Sequence, residues 1–287
     1  QNVALEECRA LIPSEQLVEG LQKCGYSTLF PVQHALLENF RNFRDYGVVA
    51  PTGSGKTLAY IIPILNDLMS RRVVRLRALI IVPTRVLALQ AYKTMNDIVT
   101  AIPDCDLQVG CATGKTALSK EQDRILDTQE RKSRVDILIC TPGRLVEHIR
   151  YTDGFTLRDL RYLVIDEADR LLEQAYQDWL QQVYESTCPQ DRLAKPFGGA
   201  MEDINWRKHQ QLMKIILSAS LTKRPAQLLH LHLHDPLLIK VSAGTSDGTT
   251  TNEQHFPETL SHHFLVMPGA KKPLALVYLL NTALKGK

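Results

Sequence analysis

Gly47-Val48-Val49-Ala50-Pro51-Thr52-Gly53-Ser54-Gly55-Lys56-Thr57-Leu58-Ala59-Tyr60-Ile61-Ile62 is the stretch from which the fold can be read. An apolar run enters a short glycine-rich turn, and a second apolar run leaves it. The order predicts a strand, a phosphate-binding loop and a helix. Gly53 and Gly55 let the backbone curl so that successive N–H groups converge on an anion. A helix starting near Lys56 adds the positive end of its dipole. The Lys56 ammonium reaches β- and γ-phosphates, and the Thr57 hydroxyl suits Mg²⁺. Pro51, Thr52 and Ser54 complete the loop. Ala50 stands where such loops usually open with glycine, which is tolerable if its φ is negative. The stretch predicts a chain that handles a nucleoside triphosphate.

A site for the metal and the attacking water has to lie nearby. Tyr162-Leu163-Val164-Ile165 has the composition of a buried parallel strand and ends in Asp166-Glu167-Ala168-Asp169. Carboxylates at the carboxyl end of a strand sit where open α/β sheets bind ligands. Asp166 is expected to hold Mg²⁺ and Glu167 to orient and deprotonate water. Asp169 is better placed to couple this site to a neighbouring loop. Taken alone, the same tetrapeptide is more often the acidic first turn of a helix. Its pairing with Lys56 and Thr57 decides for the chemical reading.

These two stretches together resemble the DEAD-box RNA helicases of superfamily 2, and further pieces follow in the family's order. Gly25-Tyr26 with Pro31-Val32-Gln33 resembles the Q motif, which implies adenine recognition by Tyr26 and Gln33. Pro83-Thr84-Arg85 through Gln90 resembles motif Ia, and Thr141-Pro142-Gly143-Arg144-Leu145 motif Ib. Ser218-Ala219-Ser220 resembles motif III, with serine for the usual final threonine. The resemblance implies that Ser218 and Ser220 bond towards Asp169 and relay nucleotide state between domains. Of the family's paired glycines after motif Ia, Gly114 alone has a counterpart. The aromatic residue upstream of the family's Q-motif glutamine has no evident match. The implied activity is an RNA-stimulated ATPase using ATP and Mg²⁺. An alternative is a nucleotide-responsive RNA-binding scaffold with little catalysis. A DNA-directed superfamily 2 helicase fits the Q motif and the Asp-Glu-Ala-Asp box less well.

The 287 residues suffice for one large domain plus part of another, and the net charge of +3 puts any nucleic-acid affinity on a local surface. Six scattered cysteines without a Cys-x-x-Cys pair speak against zinc ribbons and redox motifs, and fit a reducing intracellular compartment. No apolar run approaches membrane-spanning length. Strands are predicted at 47–50, 78–82, 107–111, 135–140, 162–166, 213–218 and 237–241. Helices are predicted at 14–24, 32–41, 56–71, 85–100, 120–128, 143–150, 174–187 and 225–232. This alternation predicts an α/β, RecA-like P-loop NTPase fold, a mostly parallel sheet with helices on both faces in a three-layer sandwich.

Residues 1–241 are expected to form the ATP-binding domain, 242–258 a linker, and 259–287 a truncated start of a second RecA-like domain. Gln1 suggests an excised piece. Residues 188–209 are long, polar and broken by Pro and Gly, and are expected to be a flexible insertion. Because the family's second domain supplies arginines for the γ-phosphate transition state, the piece alone should bind nucleotide and turn it over slowly. RNA is expected as a single strand held by its backbone, through Pro83, Thr84, Arg85, Gly114, Thr141, Pro142, Gly143 and Arg144. Helix N-termini bind phosphates without reading sequence. Pro-Thr-Arg and Thr-Pro-Gly-Arg are also ordinary capped helix starts, and both readings can hold. The cluster Arg71, Arg72, Arg75 and Arg77 is better explained by a helix C-terminus than by nucleic acid. His230, His232 and His234 lack an evident third ligand for a metal. The insertion and the Ser-Ala-Ser triplet resemble the nucleolar branch that acts in large ribosomal subunit assembly. This implies a monomeric nuclear protein with pre-ribosomal partner proteins.

Overall fold

Strand residues 78–82 show how the layers arise. Ala78, Ile80 and Val82 are buried in one apolar cluster, while Leu79 and Ile81 are buried in another. Successive strand residues point to opposite faces, so an unbroken apolar run needs cover on both. The computed structural model describes residues 2–40, 44–173, 179–187, 212–219, 231, 233–241 and 265–283. Two units are distinguished, 1–242 and 243–287.

Among the described residues of the first unit, seven strands form one sheet in the order β11-β3-β10-β9-β4-β8-β5. They are β3 (Tyr46–Val49), β4 (Ala78–Ile81), β5 (Val109–Ala112), β8 (Ile137–Cys140), β9 (Tyr162–Ile165), β10 (Met213–Ser218) and β11 (Leu237–Lys240). Every pairing in this sheet is parallel. Two short antiparallel ribbons accompany it: β1 (Val3–Ala4) with β2 (Thr28–Leu29), and β6 (Leu126–Asp127) with β7 (Lys132–Ser133). Helices α1 (Glu15–Lys23), α2 (Pro31–Asn39), α3 (Lys56–Leu68) and α4 (Arg85–Ala101) bury their apolar sides in the first cluster. Helices α5 (Leu118–Ile125), α6 (Pro142–Tyr151), α7 (Ala168–Glu173) and α8 (Trp179–Thr187) contribute to the second. The RecA-like three-layer sandwich expected from the sequence is the fold observed.

Some boundaries differ from the sequence expectation for physical reasons. The predicted helix 120–128 stops at Ile125, because Leu126 and Asp127 pair with Lys132 and Ser133. The turn between them is fixed by Asp127 Oδ1, which accepts the N–H groups of Gln129 and Glu130. The predicted strand 107–111 starts at Val109, since the Gln108 N–H is taken by Asp136 Oδ2 at 3.0 Å. A separate helix, α7, begins directly after Asp166-Glu167.

Three of the clustered arginines, Arg71, Arg75 and Arg77, form ion pairs at the amino edge of the sheet. Asp136, fully buried, lies 2.7 Å from Arg71 Nε and 3.6 Å from Arg77. Arg75 pairs with Asp159 at 2.9 Å. His234 serves the backbone, its N–H bonding to Asp45. His230 and His232 lie outside the described residues, and among the described residues no group of three His, Cys, Asp or Glu could hold a metal. Also outside them are the 188–209 insertion, the predicted 225–232 helix apart from Leu231, the 242–258 linker, Ser220 and residues 174–178. In the second unit a 3-10 turn at Gly269–Lys271 leads into α9 (Lys272–Ala283). No described helix is long and apolar enough to cross a membrane.

Asp45 staples three strands. Its Oδ1 accepts the Lys214 N–H at 2.7 Å, and its Oδ2 accepts the His234 N–H at 2.7 Å and lies 3.3 Å from Lys214 Nζ. Asp45→Ala strands Lys214 without this buried carboxylate, and removing one partner of a buried pair costs roughly 3–5 kcal/mol. Urea unfolding should show a loss of about 3 kcal/mol; a change under about 1 kcal/mol would contradict the staple.

Candidate functional site

Because every strand of the sheet runs the same way, the predicted strand-end residues, among them Lys56, Asp166 and Ser218, fall on its carboxyl edge. β3 ends at Val49 and feeds the loop 50–55; β10, its neighbour, ends at Ser218; β9, the next, ends at Ile165 before Asp166. The Ala50 N–H donates to the Ser218 carbonyl at 3.2 Å and the Asp166 N–H to the Ile81 carbonyl at 3.0 Å. These bonds carry the sheet register into the loops.

A cleft of about 400 Å³ opens here. It is lined by Tyr26, Gln33, Thr52, Gly53, Gly55, Lys56, Thr57, Asp166 and Glu167, so the Q-motif, loop and acidic segments meet in one cleft. Gly53 and Gly55 have φ of 79° and 85°. At Gly55 the position is doubly restricted, since an added Cβ would lie 2.3 Å from Gln33 Nε2. Ala50 has no positive φ, which removes the need for glycine there. Lys56 opens α3, and its ammonium donates to the carbonyls of Ala50 and Pro51, both at 2.8 Å. Burial lowers its pKa, while Asp166, Glu167 and Asp169 oppose that shift. The three carboxylates therefore act on the lysine in one field.

Asp166 is 9% exposed, and its Oδ1 accepts the Glu167 N–H at 2.9 Å. Burial pushes its pKa up to about 6, against the pull of that N–H and of Lys56. Glu167 has a φ of 52°, an uncommon conformation for a side-chain-bearing residue and a mark of functional sites. Its carboxylate pairs with Arg170 at 3.0 Å. Asp169 Oδ1 accepts the Arg170 N–H at 3.1 Å. Ser218 is fully buried at the end of β10.

The donor set fits a magnesium triphosphate. The Ser54 hydroxyl is buried without a hydrogen-bond partner among the described residues, inside the loop that would surround the phosphates. Thr57 and Asp166 supply a hydroxyl and a carboxylate for a hard cation that keeps several waters. Gln33 shows a bracing role. Its Oε1 accepts the Phe30 N–H at 2.7 Å and its Nε2 donates to the Gly55 carbonyl at 3.1 Å.

A second cleft of about 340 Å³ lies further along the same edge, at the ends of β4, β8 and β5. Pro83, Arg85, Gly114, Thr141, Pro142, Gly143 and Arg144 line it. Thr84 instead caps α4, its Oγ1 accepting the Leu87 N–H at 3.3 Å. Thr141 is the N-cap of α6 but makes no side-chain cap bond. Arg85 is exposed. The Arg144 guanidinium is turned inward: it pairs with Glu121 at 2.9 Å, pairs with Glu147, and donates to the Thr116 carbonyl at 2.6 Å.

Sequence reasoning missed Glu121. This buried carboxylate accepts the N–H groups of Thr113 and Gly114 at 3.3 and 3.1 Å and the Thr116 hydroxyl at 3.3 Å. It shapes the Gly114 turn, where φ is 73°. His148 faces it at 3.4 Å, its pKa lowered by burial despite that carboxylate. As an acidic residue in the first turn of a helix, Glu121 gave no sequence signal beyond an ordinary dipole partner.

The sequence pattern of the DEAD/DEAH box helicases matches residues 30–228. The chain is 38% identical to DEAD-box ATP-dependent RNA helicase 1 of Arabidopsis thaliana, over 98% of this chain and 58% of that protein. It is 36% identical to ATP-dependent RNA helicase DDX51 of Homo sapiens, over 92% of this chain and 44% of that protein. It thus spans about half the length of the curated relatives it matches. The crystal structure of the yeast DEAD-box splicing factor Prp28 shares the fold, with a TM-score of 0.65 and 24% identity over 83% of this chain and 51% of that one.

The raised Asp166 pKa has a stability consequence with a definite sign. A carboxyl that holds its proton more tightly when folded favours the fold at low pH, and that contribution is lost as pH rises from its ordinary 3.8 through about 6. At about pH 7.5 the ionised group then costs roughly 3 kcal/mol, at about 1.4 kcal/mol per pH unit. Asp166→Asn should therefore stabilise the nucleotide-free chain by about 2–3 kcal/mol at that pH. Denaturant melts should show the gain disappearing near about pH 4; a pH-independent difference would contradict this origin.

Proposed function

The chain belongs to the DEAD/DEAH box helicase family, and we propose that it is the ATP-binding part of an ATP-dependent RNA helicase. One observation carries the reading: Lys56, Thr57, Asp166 and Glu167 line a single cleft at the ends of β3 and β9. The second cleft, on the same edge, presents helix starts and an exposed arginine to a phosphodiester strand.

In this reading the curled loop and Lys56 hold the β- and γ-phosphates, and Thr57 and Asp166 hold Mg²⁺. Mg²⁺ held there would supply positive charge to the phosphate oxygens. Glu167 takes a proton from the attacking water, which requires its carboxylate to exchange Arg170 for that water. Ser218, with Ser220, transmits the state of the cleft through Asp169. The backbone at Thr84, Arg85, Gly114, Thr141, Pro142 and Gly143 binds RNA phosphates, while Arg144 acts chiefly by bracing the Gly114 turn. Such contacts are independent of base sequence and weaken steeply with salt.

Residues 259–287 are proposed to open a second RecA-like domain, after a linker at 242–258. Closure of the two domains around ATP and RNA would bend one strand and pry a duplex locally apart. Without the arginines of that second domain, this stretch should hydrolyse ATP slowly. Relatives named for RNA helicases, together with the resemblance of residues 188–209 to the nucleolar branch, support work in large ribosomal subunit assembly. We place the protein, as a monomer, in the nucleus and nucleolus, with pre-ribosomal assembly proteins as partners.

In the full-length protein, Glu167→Gln should keep ATP affinity within about threefold while RNA-stimulated turnover falls at least about 10²-fold. Lys56→Ala should lose both. Unchanged turnover in Lys56→Ala would overturn the ATPase assignment, and unchanged turnover in Glu167→Gln the general-base role.

A further inference from the structure

Tyr60 keeps a hydroxyl where packing alone has no use for one. It lies on α3, and its ring is fully buried in the large apolar cluster that the helix covers. The hydroxyl makes no hydrogen bond among the described residues. An enclosed polar atom without a partner costs free energy, and phenylalanine would fill the same space without that cost. The hydrogen-bonding side chains that face the hydroxyl are Thr57 and Asp166. Both line the first cleft, and they are the two residues suited to Mg²⁺ there.

Helix geometry accounts for the approach. Residues three apart share a helix face, and a helical side chain leans back over the preceding turn. Thr57 stands one turn before Tyr60, beside Lys56 at the start of α3. Asp166 arrives from the sheet, directly after β9. Burial, and then the Asp166 charge, push the Tyr60 pKa well above its usual range, so the phenol keeps its proton. Towards an ionised carboxylate it can only donate, while its oxygen can still accept from a hydroxyl. A threonine that turns a lone pair to a cation has to send its proton elsewhere, and the Tyr60 oxygen is an acceptor close at hand.

We propose that Tyr60 is a positioning residue for the cation: its hydroxyl accepts from Thr57 and donates to Asp166, aligning the two side chains that hold Mg²⁺. The inference rests on the nucleotide reading above and adds a group behind the cation's side chains. Groups of this kind set the orientation of the residues in front of them and tune cation affinity. The same hydroxyl is a burden on the fold, so its removal separates the two roles. Phenylalanine at this position keeps the ring in the core and loses only the bridge.

Calorimetric titration of the chain with ADP, once in excess Mg²⁺ and once in EDTA, tests this. In Mg²⁺, Tyr60→Phe should weaken ADP binding roughly tenfold, while in EDTA it should stay within about twofold of wild type. The urea midpoint of Tyr60→Phe should equal or exceed that of wild type. Unchanged ADP affinity in Mg²⁺ would overturn the proposal. So would equal weakening in both solutions, whatever the urea midpoint, because the hydroxyl would then serve only the loop. Wild-type affinity that is the same in Mg²⁺ and EDTA would overturn it as well. Wild-type chain that binds ADP in neither solution, or Lys56→Ala that binds it normally, would instead overturn the nucleotide reading itself.

Discussion

Parallel pairing is the constraint from which the functional architecture follows. The seven described strands run one way and put seven carboxyl ends on one edge. The sheet is apolar on both faces, so helices must cover both, and the loops that return the chain are confined to the two edges. Chemistry then sorts by position along the carboxyl edge. The ends of β3, β10 and β9 carry the phosphate loop, Ser218 and Asp166. The ends of β4, β8 and β5 carry the helix starts at Thr84 and Thr141 and the Gly114 turn. Two clefts sharing one rigid edge can respond to one another without a long path between them.

The opposite edge shows what the same charges do when they serve the fold. Asp136 is as buried as any residue in the sheet, yet Arg71 and Arg77 surround it and the Gln108 N–H completes its bonding. Asp45 is stapled in the same manner to Lys214 and His234. Asp166 differs: burial outweighs the pull of its cationic neighbour Lys56 and lifts its pKa, and Lys56 itself is shared with two loop carbonyls. A carboxylate left short of positive charge inside a cleft is ready for a divalent cation. One carboxylate chemistry thus separates into structural and functional uses according to how fully each group is compensated.

The fold was legible in the sequence because its strands are short apolar runs with no polar alternation, and its loops carry glycine, proline and acidic residues at strand ends. Lys56, Thr57, Asp166 and Glu167 could be read for the same reason: each belongs to a local pattern with its own physical meaning. The β6–β7 ribbon was not legible, since two-residue strands leave no period to detect and depend on the turn made by Asp127. Glu121 was hidden because its partners, Thr113, Gly114, Thr116 and Arg144, are assembled by tertiary contact. Arg144 was read as an RNA contact from its place at a helix start, and the sequence did not show that a buried acid from the preceding helix pairs with it.

The two carbonyl contacts of Lys56 set a threshold on what can occupy the loop. An ammonium already holding two oxygens at 2.8 Å surrenders them only to a stronger competitor. Chloride or a single carboxylate offers one charge and little geometric match. A polyanion offers several oxygens at once and engages the glycine-curved backbone at the same time. Discrimination against the small monovalent ions that crowd a cell therefore begins before any base or metal is recognised, in the bonds a lysine must give up.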